Sequence, residues 1–109
     1  MNAAQTYGFL LKYGEAVVLR RPTGNGIWAE CPVFARVDQF QPHELVGGIL
    51  QGDRKVIMSS IELAAQGWPS DPRRGDQVMI GGKTTTVQAV DTVTLGSEVQ
   101  RHNIQVRGG

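Results

Sequence analysis

Two glycine-containing dipeptides, Asn25-Gly26 and Gly81-Gly82, each stand between runs that alternate apolar with polar or β-branched residues. Such pairs reach the positive φ angles of a tight hairpin, because Gly has no Cβ and Asn accepts the left-handed region. The chain must therefore fold back on itself at least twice as antiparallel strands. Residues 15–21, with Ala16, Val17, Val18 and Leu19, read as the strand before the first turn. Residues 32–40 are expected to return, with Val33, Ala35 and Val37 on one face. Phe34 then falls among the polar side chains, where an aromatic ring needs cover from another sheet or a partner chain.

Residues 53–59 form another alternating run, with Val56 and Met58 against Lys55 and Ile57. Ser59-x-x-Glu62 after it has capping-box spacing, in which the serine oxygen and the glutamate side chain each satisfy a free backbone N–H. One short helix is expected there, ended by a left-handed Gly67 and by Pro69. Val78 with Ile80, and Val87 with Ala89, share faces on the arms about Gly81-Gly82. A loop over 91–98 leads to a last strand over 99–107, with Ile104 and Val106 inward. In residues 1–13, Tyr7, Leu10 and Leu11 have helical spacing while Gly8 opposes it, so this segment reads as a short helix or an arm. The expected fold is a mainly all-β small antiparallel barrel or rolled sheet over 14–109, with one short helix and a long central loop at 41–52.

Composition narrows the function classes. The chain has 109 residues, 14 Gly, 5 Pro and a net charge of +1. Fourteen glycines suit turns, and near-neutrality lacks the basic excess of a dedicated nucleic-acid binder. Cys31 is the single cysteine, which leaves no internal disulfide and no cysteine cluster for a metal, and a reducing, cytoplasmic setting is expected. No apolar run reaches the length of a membrane span, and no cofactor is expected.

The candidate chemical motifs give way to simpler readings. Gly82-Lys83-Thr84 has lysine after glycine as in a phosphate-binding loop, but Gln77 stands where the first glycine belongs, and no helix follows. His43 and His102 lack metal-ligand spacing, and a Cys31–His pair rests on coincidence of type alone. Arg74-Gly75-Asp76 reads as a tight turn. The pairs Arg20-Arg21, Arg54-Lys55 and Arg73-Arg74 do not concentrate charge, because adjacent side chains on a strand point to opposite faces. The central loop carries Leu45, Val46, Ile49 and Leu50 among glycines. They are either inward anchors of a surface loop or a contact surface that orders on assembly. Trp68 reads as a plug over one end of the core or as an intersubunit anchor. No acid, base and nucleophile converge, so an enzyme is not expected.

The order GEAVVLRRPTG at 14–24, GDRKVIMS at 52–59, LAAQGWP at 63–69 and RGDQVMIGG at 74–82, leading to TVQAV at 86–90, resembles the small head–tail joining proteins of tailed bacteriophages. The resemblance spans about residues 14 to 107. It implies a small β-barrel connector without an active site, a monomer in isolation. It would join copies of itself in a ring between the portal and the tail proteins, in the virion neck, after synthesis in the host cytoplasm. DNA would be passing cargo only. Leu45, Val46, Ile49, Leu50 and Trp68 are the candidate interface residues. The alternative expectation is a small β-barrel nucleic-acid-binding module.

Overall fold

The computed structural model describes residues 2–40, 43, 47–50, 52–68 and 71–108. Its order is α1 (Ala3–Tyr13), β1 (Glu15–Gly24), β2 (Ile27–Gln39), β3 (Arg54–Ser59), α2 (Ser60–Ala65), β4 (Gln77–Ile80), β5 (Lys83–Leu95) and β6 (Glu98–Arg107). The strands close into an antiparallel barrel in the order β1-β2-β3-β6-β5-β4, with β4 returning to β1 at Val17↔Ile80 and Leu19↔Val78. Closure removes the open edges of a sheet. The interior collects Leu19, Val33, Val56, Met58, Val78, Val87, Ile104 and Val106, all buried.

Both glycine turns form as their residues dictate. Asn25 is the one non-glycine residue with positive φ among those described, at 53°, and Gly81 and Gly82 stand at 56° and 80°. Gly82-Lys83-Thr84 is thus a strand, turn and strand, with no helix end to face a phosphate.

The structure corrects several expectations. β2 begins at Ile27 rather than at residue 32, because β1 stays paired through Trp28 to the turn itself. Among the described residues there are two helices, because the amino-terminal segment takes the helical one of its two expected forms. Asn2 Oδ1 accepts from Gln5 N at 2.8 Å while Asn2 N donates to Gln5 Oε1 at 2.9 Å, a reciprocal cap that offsets the cost of Gly8. Gly8 lies where an added Cβ would meet nothing, so packing does not oppose it either.

Of the expected loop over 91–98 only Gly96 and Ser97 form the turn, since β5 continues to Leu95 and pairs there with Glu98, the first residue of β6. A bulge between Val87 and Ala89 shifts the register, and Ala89 faces outward instead of sharing the inner face with Val87. One extra residue is enough to reverse every side chain after it.

α2 is capped by Ser59, whose Oγ accepts from Ile61 N and Glu62 N. The other half of the expected box is absent. Glu62 is buried and its carboxylate accepts instead from Phe34 N of β2. β3 pairs with β2 only over Arg36 to Gln39, so the amino-terminal half of β2 lacks a strand neighbour on that side. α2 fills this gap, and Glu62 supplies an acceptor for a backbone donor beyond the paired stretch. Gly67 takes φ 78° as expected. Pro69 lies outside the described residues.

Candidate assembly surfaces

At the end of the barrel beside α2, Arg21 points inward from β1 and grips Asp76 with two bonds, Nε to Oδ1 and Nη2 to Oδ2, each 2.8 Å. Asp76 also accepts from Arg73 N, and Gly75 N donates to Val87 O. The Arg-Gly-Asp tripeptide is therefore a structural turn, with its aspartate buried. The Arg21 guanidinium lies 4.9 Å from the Trp68 ring centroid. Trp68 packs into the core and is only 9% exposed, so its ring plugs the barrel end and turns little surface toward a neighbour.

His102 is buried at the same end, with Nδ1 3.0 Å from Thr92 Oγ1 and Nε2 3.8 Å from Asp71 Oδ1. Burial lowers its pKa, against the smaller upward pull of Asp71. His43 is exposed, and no three His, Cys, Asp or Glu gather into a metal site among the described residues. Cys31 lies in the apolar core, and burial, with Glu62 nearby, pushes its thiol up, the reverse of nucleophile activation.

The carboxyl-terminal side of the central loop is pinned to β6. Arg107 donates from Nε to Asp53 Oδ1 at 2.9 Å and from Nη2 to both Asp53 Oδ2 and Gly48 O at 3.0 Å. Gln105 Nε2 reaches Asp53 Oδ2 at 2.8 Å. Leu50 N donates to Asp53 Oδ2 while Asp53 N donates to Leu50 O. These bonds, chiefly that from Arg107, hold the Asp53 carboxyl down at about 2. The clamp leaves Leu50 54% exposed, while Ile49 is half-buried and lines a surface groove of about 330 Å³ with Phe40, Val90 and Ile104. Leu45 and Val46 lie outside the described residues.

A second apolar surface was only partly legible. Phe34 is 40% exposed on the outside of β2. Register places Ala16 directly opposite it, and one pair along the strands aligns Pro32, Val18 and Met79 across β2, β1 and β4. Directly paired residues project to the same face, so these side chains form one apolar patch on the barrel wall, exposed at Phe34, Ala16 and Pro32 and half-buried at Val18 and Met79, whose sulfur accepts from Thr84 Oγ1 at 2.9 Å. Only Phe34 was identified from its parity, since the β1–β4 closure that adds Met79 is not written in either strand. At one edge of the patch, Arg20 pairs with Glu30 at 3.2 Å and lies 4.4 Å from the Trp28 ring centroid. Arg20 faces out and Arg21 faces in, as expected for neighbours on a strand.

α1 packs on the outside of the barrel against β2, β3, β6 and α2. Its carboxyl-terminal turn exposes Leu11 and Tyr13, and the two long hairpins expose Ile27 and Leu95 near their turns. The exposed apolar side chains are thus distributed over the wall, α1, the hairpin ends and the loop base. No helix is long and apolar enough to cross a membrane among the described residues. No family model matches the chain, and no curated protein matches its sequence.

Proposed function

We propose that this chain is a structural head–tail joining protein of a tailed-phage-type particle, docking as a ring of copies between portal and tail in the virion neck. The observation that carries the reading is the apolar wall patch of Phe34, Ala16, Pro32, Val18 and Met79, on a barrel that also exposes Leu11 and Tyr13 on α1. A ring of identical subunits needs two different patches, one to meet the other on the next copy. A wall patch and a helix patch on separate elements meet that requirement. Leu50 at the pinned loop base supplies a further contact for portal or tail proteins.

The order of sequence motifs supports the same reading, and the closed barrel agrees with the fold that the resemblance implies. The proposed setting is the host cytoplasm during assembly, with DNA as cargo. Electron microscopy of particles assembled without this chain tests it: DNA-filled heads that leak or fail to join tails are expected. Normal tailed particles, together with salt-sensitive gel shifts of single-stranded oligonucleotides by the purified chain, would overturn the connector in favour of a nucleic-acid-binding barrel.

A further inference from the structure

Between α1 and the outer wall of the barrel lies a cleft of about 280 Å³ whose lining includes three cations, Arg36 of β2, Lys55 of β3 and Arg101 of β6, and no carboxylate. Its centre is apolar. Ile57 pairs with Arg36 on one side and Asn103 on the other, so the three share the outer face, and Phe9 and Leu10 of α1 complete the lining above. With strands about 4.8 Å apart, the Arg36 and Asn103 stems stand about 10 Å from each other. Arg101 lies one outward position further along β6, and Lys55 lies on the opposite side of Ile57. The cations therefore surround an aliphatic floor instead of converging on one point.

The partners of Arg101 and Arg36 leave room for an acid. Arg101 is held by two neutral amide oxygens, Asn103 Oδ1 and Gln100 Oε1, each at 3.3 Å. Arg36 meets Asp38 of its own strand in a pair that is exposed on both sides, an interaction of little worth in water. The Lys55 ammonium stands 5.3 Å from the Phe40 ring centroid, with Asp38 directly opposite Lys55 on β2, and it adds to the positive field of the cleft. An independent observation points into the same cleft. Thr6 of α1 lines it, is 3% exposed, and its hydroxyl makes no hydrogen bond. A buried hydroxyl without a partner is costly, and an occupant that supplies one relieves that cost.

We propose that this cleft docks an acidic peptide segment of a partner protein, with an apolar side chain seated on Ile57 and flanking carboxylates reaching Arg101 on one side and Arg36 on the other. The helix overhead removes water from one side of those ion pairs, which strengthens them over pairs on an open wall. A nucleic-acid strand fits less well. Stacking needs free ring faces, whereas the floor is aliphatic and the Phe9 ring packs at 4.9 Å against Tyr13. The assignment stands apart from ring assembly, since it concerns a different partner on a different face.

The test is fluorescence anisotropy of the full chain with a short labelled peptide centred on Glu-Leu-Glu, beside a Gln-Leu-Gln control and an oligo-dT of similar length. The acidic peptide is expected to bind at least about tenfold tighter than the control and to weaken as salt rises. Arg101→Glu should abolish the difference. Thr6→Val, which removes the unpaired hydroxyl without changing the shape, should unfold no earlier than the native chain and still bind the acidic peptide severalfold more weakly. Equal binding of the two peptides, absence of binding to both, or unchanged acidic-peptide binding by both folded variants would overturn the proposal. Tighter binding of oligo-dT would overturn it too and assign the cleft to nucleic acid.

Discussion

Arg107, on the last strand, and Asp53, the residue before β3, are joined by a two-bond ion pair at 2.9 and 3.0 Å that ties the end of the central loop to the barrel. Asp53 is buried while Arg107 is more than a third exposed. The pair fixes where the loop leaves the barrel, and with it the position of Leu50.

The lowered Asp53 pKa gives a pH dependence of definite sign. The carboxylate is favoured in the fold, so its contribution is complete above an unfolded value near 3.8 and is lost as pH falls through about 2. At full strength that difference corresponds to about 2 kcal/mol, and screening at the exposed Arg107 reduces the expectation to about 1 kcal/mol. Urea denaturation of the native chain and Asp53→Asn should therefore differ at about pH 5 and converge toward about pH 2.5. A gap between them that stays constant over this range would refute the pair's role.

Arg21 and Asp76 make the more consequential pair, because both partners are buried. Asp76→Ala leaves the Arg21 charge without its acid and is expected to cost about 3–5 kcal/mol, whereas Arg21→Met combined with Asp76→Leu should recover most of the loss. Chemical denaturation of Asp76→Ala, of Arg21→Met and Asp76→Leu singly, and of the double variant measures this. Strictly additive losses would show that the two side chains act separately.

Glu62 acts on β2 from α2. Glu62→Ala removes the acceptor for Phe34 N and is expected to cost about 1–3 kcal/mol, with Glu62→Gln restoring part of it. Hydrogen exchange reads the contact directly: the Phe34 amide should exchange faster in Glu62→Ala than in the native chain. Unchanged protection of that amide would place Glu62's effect elsewhere.

The wall patch separates folding from assembly. Phe34→Glu and Met79→Glu each change a side chain on the outer face, so the monomer should stay within about 0.5 kcal/mol of the native chain in the first and about 1 kcal/mol in the second, which gives up the Thr84 contact to the Met79 sulfur. Particle completion, measured by the fraction of heads bearing tails, should fall sharply in both. Completion at native levels with both charges in place would remove the patch from the connector's interfaces.

Asn25-Gly26, Gly81-Gly82, the Ser59 cap and the alternation of Val56 with Met58 and Ile104 with Val106 were readable in the amino-acid order because turn chemistry and side-chain parity act over a few neighbouring residues. Asn2 with Gln5 was equally local, and its capping spacing could have settled the amino-terminal helix against the doubt raised by Gly8. The bulge after Val87 was not readable, since an extra residue is defined only against the partner strand. The destination of Glu62, the alignment of Val18 with Met79, and the meeting of Thr6 with Arg36, Lys55 and Arg101 belong to the closed barrel alone. Each joins residues far apart in the chain, and register and closure, not local preference, decide which of them become neighbours.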